Sequence, residues 1–155
     1  MAAEYLANAV QQVNLNAPII FTASIPCTKG YVYHEDETGV FILRGITNCQ
    51  RYATYQVTFN GNIGIPEGGT AGVPIAIAIA INGEPRLTSR AIFFPGTTAD
   101  TGEYGNVTST AIIKVPQGCC FSLSVEYVPG TSDPTVTPAP VIEVQNANLV
   151  INRVA

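Results

Sequence analysis

At 155 residues the chain has the length of one domain, with 46% hydrophobic residues, 12% charged residues and a net charge of −4 at pH 7. Typical soluble domains carry roughly 25% charged residues, so a partner is expected to cover part of this charge-poor surface. The acidic balance and the lack of any Lys/Arg cluster exclude a nucleic-acid-binding stripe. The longest apolar run, around residues 71–81, is far below the ~20 residues of a membrane-spanning helix, so no membrane role is supported.

The opening Met1-Ala2-Ala3-Glu4-Tyr5-Leu6 lacks the basic and long apolar regions of a secretory signal, and a protein made and kept in a cytoplasm is expected. Residues 2–13 suggest helix, since Tyr5, Leu6, Ala9, Val10 and Val13 fall near a 3.6-residue period before Asn14-Leu15-Asn16-Ala17-Pro18 breaks it. Beyond them, strands are predicted at 18–24, 31–34, 40–45, 53–63, 73–82, 86–94, 106–115, 119–128 and 141–154. Dense turn signals separate these, among them Pro66-Glu67-Gly68-Gly69, Pro95-Gly96 and Pro129-Gly130. Asn82-Gly83 between two alternating runs marks a type I′ hairpin, whose central residues both need positive φ. Residues 129–140, with four prolines, read as an exposed loop.

Period-two alternation assigns faces. Tyr55, Val57 and Phe59 oppose Gln56, Thr58 and Asn60. Val107, Ala111, Ile113 and Val115 oppose Thr108, Thr110 and Lys114, and Phe121, Leu123, Val125 and Tyr127 oppose Ser122, Ser124 and Glu126. These sets predict an all-β, two-sheet antiparallel sandwich. The run Ile75-Ala76-Ile77-Ala78-Ile79-Ala80-Ile81 departs from the pattern, because neither of its faces is polar. The isoleucines fit the sandwich core. The alanine face invites close approach by another subunit, or by a loop or the amino-terminal segment of the same chain.

Candidate chemistry is sparse. His34 beside Glu35, Asp36 and Glu37 reads as a solvated turn between strands rather than a general base or metal ligand. A polar loop carrying Asp100, Glu103 and Tyr104 is a candidate site for Ca²⁺ or a sugar, with an ordinary loop as the alternative. No serine lies in a nucleophile elbow, and no paired-carboxylate arrangement can be defended. No enzyme and no cofactor are expected. The four cysteines, Cys27, Cys49, Cys119 and Cys120, lack the paired spacing of a zinc site. Reduced thiols are the default for a cytoplasmically made protein, with a Cys27–Cys49 bridge as the competitor.

Several motifs together resemble a known group. Gly72-Val73-Pro74 leading into the Ile–Ala run and Asn82-Gly83-Glu84-Pro85 resemble the mid-domain hairpin of tumour-necrosis-factor-like jelly rolls. So do Asn106-Val107-Thr108, the Val115-to-Cys120 turn and the closing Val144-to-Ile151 strand. Gly39-Val40-Phe41-Ile42-Leu43-Arg44-Gly45, Ile65 to Gly69, Pro116 to Cys120 and Gln145 to Ala155 are similar to motifs of small virion proteins of tailed phages and prophages of Gram-positive bacteria. This resemblance covers about residues 17–155.

The resemblance implies a jelly-roll trimerisation domain over 17–155, forming a homotrimer about a threefold axis. It also implies a place on the virion exterior as a capsid decoration or head fibre, assembled in the host cytoplasm. On that reading Ala76, Ala78, Ala80, Asn146 and Asn148 are candidate trimer-interface residues. Residues 1–16 would be an arm whose Tyr5, Leu6, Val10 and Val13 dock on the phage major capsid protein, and a frayed helical terminus is the alternative. A receptor- or glycan-binding jelly roll on a phage or bacterial surface, gripping host-surface sugar through the 96–105 and 129–140 loops, is the alternative function.

Overall fold

Alternation of inward apolar with outward polar residues carries most of this chain into strands. A computed structural model describes residues 2–25, 30–96 and 104–155. In chain order the strands are β1 (Ala2–Ala7), β2 (Gln11–Asn14), β3 (Ala23–Ile25), β4 (Val32–His34), β5 (Phe41–Arg44), β6 (Tyr52–Gly64), β7 (Ile75–Ile81), β8 (Glu84–Pro85), β9 (Ala91–Phe93), β10 (Tyr104–Pro116), β11 (Cys120–Pro129) and β12 (Val141–Arg153).

These strands form two antiparallel sheets. The first has the order β10-β6-β12-β1-β3, with β2 also pairing β12. The second has the order β4-β5-β11-β7-β8, with β9 also pairing β7. From β5 onward the longer strands alternate between sheets, β5, β7 and β11 in the second and β6, β10 and β12 in the first. Each connection therefore crosses the sandwich, and neighbouring strands are remote in sequence. This is the all-β, two-sheet architecture expected above.

The core holds the predicted inward sets: Tyr55, Val57 and Phe59 of β6, Val107, Ala111, Ile113 and Val115 of β10, and Leu123, Val125 and Tyr127 of β11. Ile75, Ile77 and Ile79 fill the same interior from β7. The Asn82-Gly83 turn takes positive φ at both residues, 52° and 82°, as the type I′ reading requires. The 86–94 segment is not one strand. A 3-10 turn at Leu87–Ser89 interrupts it, leaving β8 and β9 as separate short edges.

The amino-terminal segment corrects the sequence reading. No helix forms over 2–13, and residues 1–16 are not a separate arm. β1 lies inside the first sheet, paired on one edge with β12 from Ala2↔Asn152 to Ala7↔Ala147 and on the other with β3. Ala3, Tyr5 and Ala7 are buried while Glu4 and Leu6 are half-buried on the outer side. That is a period of two rather than 3.6. A short apolar segment is ambiguous between these periods, and two waiting sheet edges decide it. Tyr5 is 3% exposed, with its ring edge-on to Phe41 at 4.6 Å and to His34 at 5.0 Å. His34 itself stacks on Phe41 at 4.2 Å and so belongs to an aromatic cluster rather than to a solvated turn.

The long loop after β11 is held from beneath. Tyr127 is buried, and its hydroxyl donates to the Ala139 carbonyl at 2.6 Å. Burial pushes its phenol up to about 12, above the roughly 10 of an unfolded tyrosine. The raised folded value means that this group's stabilisation is whole below about pH 10 and drains away as pH rises through 12. Tyr127→Phe is expected to cost about 1–2 kcal/mol at neutral pH by stranding the Ala139 carbonyl. Urea unfolding should also show less loss of stability between about pH 10 and 12 in this variant than in the native chain, since the buried phenol supplies that loss.

Candidate functional site

The alanine face of β7 is covered by its own chain. Ala76, Ala78 and Ala80 are 0% exposed, and Ala76 and Ala78 form a small cluster with Val128, apart from the main core. β9 and β11 flank β7 on opposite edges. Ala91 opposes Ile77 and packs against the core, so Arg90 projects on the alanine side. Its guanidinium donates to the Pro129 carbonyl and the Ser132 hydroxyl, both at 2.9 Å. To reach them the side chain crosses β7, and only small residues leave room beneath it. The expectation that these alanines meet another subunit is therefore corrected: all three are covered within the chain, and the Arg90 side chain, bonded to the start of the 129–140 loop, spans the Ala76–Ala78 part of the face. Glu126, opposite Ala78, has its carboxyl raised by burial, against a lowering hydrogen bond from Ser124.

The outer face of the first sheet has a different character. β6 and β10 pair along their whole length, which aligns Thr58 with Thr110 and Asn60 with Thr108. The Asn60 amide donates to Asn106 Oδ1 at 3.2 Å and to Thr108 Oγ1 at 2.7 Å, and the Asn106 amide donates to Asn60 at 3.1 Å and to Asn62 at 3.0 Å. Thr58 and Thr110 hydroxyls meet at 3.4 Å. On β12, Asn148 extends this amide-rich face and donates its amide to the Glu4 carboxylate at 2.5 Å. Asn146 is exposed and lies in the irregularity between Gln145 and Asn148, with φ at 54°. The amide grid is thus built mainly from Asn60, Asn62 and Asn106, on β6 and β10 rather than on the last strand, where Asn146 and Asn148 were expected to form it.

Beside that face runs an apolar edge. Ile92 and Phe94, two residues apart, are 52% and 53% exposed. Leu87 and Ile112 are also exposed. Two hydrogen bonds tie these elements together: Ser109 Oγ donates to Ser89 O at 3.0 Å, and Arg86 donates to Ile112 O at 3.1 Å. Exposed apolar side chains therefore flank the line where the second sheet's edge meets β10, Ile92 on the alanine side of β9 opposite Ala76 and Ile112 on the outer face of the first sheet opposite Gln56.

The remaining candidates separate. Val13 is buried at 2% exposure, Leu6 is half-buried, and Val10 is exposed, so the four proposed docking residues do not form one surface. Asp100 and Glu103 lie outside the described residues, as does Cys27. Tyr104 begins β10, and its hydroxyl donates to Glu143 Oε2 at 2.6 Å. A cleft of about 470 Å³ opens where β1 and β3 meet the β12 irregularity, lined by Leu6, Asn8, Thr22, Asn146 and Asn148 among others. Among the described residues no three His, Cys, Asp or Glu side chains form a set that could hold a metal ion, and no helix is long and apolar enough to cross a membrane.

No family model matches the chain, and no curated protein matches its sequence. Solved structures do share the architecture. The Eiger TNF from S. frugiperda superposes with a TM-score of 0.65 at 14% identity, covering 100% of this chain and 92% of that one. Murine APRIL gives 0.55 at 10% identity over 99% and 98%. The globular domain of zebrafish complement 1qA gives 0.54 at 13% identity over 99% and 97%. At such identities the likeness is one of fold: a jelly roll of the TNF and C1q type.

Proposed function

We propose that this jelly roll associates as a homotrimer and acts by binding, as a capsid decoration or head-fibre protein on the exterior of a tailed-phage virion, assembled in the host cytoplasm. The observation that carries self-association is the pairing of two unlike surfaces on one chain. The apolar edge of Leu87, Ile92 and Phe94 needs cover, and the outer face of the first sheet offers few charges to desolvate. Its Asn and Thr side chains already satisfy one another, so burying them costs less than burying unpaired polar groups. Contact between unlike patches is heterologous, and such contacts form a ring where the rotation between copies closes and an open filament where it does not. Closure at three, and the virion setting, rest on the resemblance carried by the sequence motifs.

The capsid assignment is tested by mixing the purified chain with capsids that lack it and sedimenting them. Saturable co-sedimentation is expected, and chain left wholly in the supernatant would sink the assignment. A second reading, a glycan-binding module, is favoured by the amide-lined cleft at Asn8, Asn146 and Asn148, although no aromatic residue lines it. Specific binding on a glycan array, lost in Asn146→Ala, would move that reading to first place.

A further inference from the structure

Three exposed thiols lie on two loops that clasp each other at one end of the sandwich. Cys49 sits in the loop joining β5 to β6, Cys119 ends the turn joining β10 to β11 and Cys120 opens β11, and all three are free and exposed. The loops are tied closely. Gly45 N–H donates to the Cys119 carbonyl at 2.8 Å, Gly118 N–H to the Gly45 carbonyl at 2.9 Å, and Gln117 N–H to the Arg51 carbonyl at 2.8 Å. A Cβ on Gly45 would stand 1.9 Å from the Pro116 carbonyl oxygen, so no side chain fits between them. Both ends of the 46–50 segment are thereby anchored on the turn that carries Cys119. Cys49 is two residues, at most about 7 Å of chain, from Arg51.

The same end is basic in an acidic protein. Of seven Lys and Arg residues, Arg44, Arg51, Lys114 and Arg153 lie here against one acidic neighbour, Glu84, whose partner Ile81 pairs with Leu123, and no Asp or Glu occurs in residues 41–54, 112–123 or 149–155. Arg44 stands opposite Cys120 in register. Its guanidinium donates to the Gly30 carbonyl at 3.3 Å, and that of Arg153 donates to the Ile46 carbonyl at 2.6 Å. Glu35, Asp36, Glu37, Glu67 and Asp133 follow strand ends at the opposite pole. Free cysteines are usually buried, and three of them exposed in one positive field call for a chemical role.

We propose that this end is a thiol–disulfide exchange site for anionic low-molecular-weight disulfides, and that exchange there closes a Cys49–Cys119 bond. One cysteine thiolate attacks the reagent disulfide, forming a mixed disulfide and releasing one reagent thiolate. The second cysteine then attacks the protein sulfur of that mixed disulfide and expels the other reagent thiolate. Two electrons pass from the protein dithiol to the reagent, which leaves as two thiols. Cys120 is the wrong partner, because ladder pairing with Arg44 fixes its direction. Adjacent Cys119 and Cys120 have Cα atoms about 3.8 Å apart, closer than the roughly 4.4–6.8 Å of ordinary disulfides, which disfavours a bond between them. The new bond would tie the β5–β6 loop to the β10–β11 turn.

The test exposes the reduced full-length chain to oxidised glutathione, followed by intact mass and non-reducing peptide mapping. The expected product is lighter by two hydrogens, joins Cys49 to Cys119 and still forms in Cys120→Ser. In Cys119→Ser, glutathione should remain attached. The rate should fall at least about threefold at high salt and in Arg51→Glu, because the positive field draws in the anionic reagent. The thermal midpoint of the oxidised chain should rise by roughly 5–15 °C. Independent glutathione adducts without an internal bond, or Cys49 joined to Cys27 or Cys120 instead, would overturn the proposal. A rate indifferent to salt and to Arg51→Glu would overturn the electrostatic part.

Discussion

Replacing Ala78 by glutamate is expected to leave no folded protein, rather than a folded monomer. Ala78 is wholly covered within one chain, beneath the Arg90 side chain that spans from β9 to Pro129 and Ser132. A glutamate there has no room, and it stands opposite Glu126, whose own carboxyl is already raised by burial. An uncompensated buried charge costs about 3–5 kcal/mol, and overpacking adds about 1–3 kcal/mol. The sum is comparable with the roughly 5–15 kcal/mol that holds a whole domain together. Ala78→Val carries only the overpacking cost and should fold with a lowered thermal midpoint. Circular dichroism melts of both variants check this. A soluble, cooperatively melting Ala78→Glu monomer would mean that the alanine face is open in the free chain and that Arg90 is not its cover.

The opposite outcome is expected at Phe94. Its side chain is 53% exposed, so Phe94→Glu should change the stability of one chain by no more than about 0.5 kcal/mol. At the proposed contact between copies the same change would bury a charge and remove an aromatic anchor. Such anchors are worth about 2–4 kcal/mol each, and the proposed ring of three would repeat the loss at every contact. Dissociation into folded monomers is therefore expected, with an unchanged circular dichroism spectrum and a chain-sized mass by light scattering. An unchanged assembly would take the apolar edge out of the interface. Unfolding would place Phe94 in the core.

The contrast between these two residues marks where the sequence was legible. Strict alternation identified the inward sets of β6, β10 and β11 and the dryness of both faces of β7, because side-chain direction in a strand is local. What covers the alanines was not local. It depends on Arg90 reaching over β7 to a loop some forty residues further along, and no spacing in the sequence encodes that reach. The outward Thr58, Asn60, Thr108 and Thr110 were likewise assigned to a face. Their union into one amide grid needs the β6–β10 register, a pairing between segments roughly fifty residues apart. On the last strand, alternation through Asn146 and Asn148 was broken by an irregularity that a run of amides does not announce. Residues 2–13 failed for another reason. Their apolar positions fit two periods, and the edges of β12 and β3 select between them.

Self-association is the claim on which the functional reading turns. It is tested most directly by the mass of the native chain in solution, from sedimentation equilibrium at low micromolar concentration. A single species of three times the 16.4 kDa chain mass is the predicted result, and a stable 16.4 kDa particle across that range would contradict it.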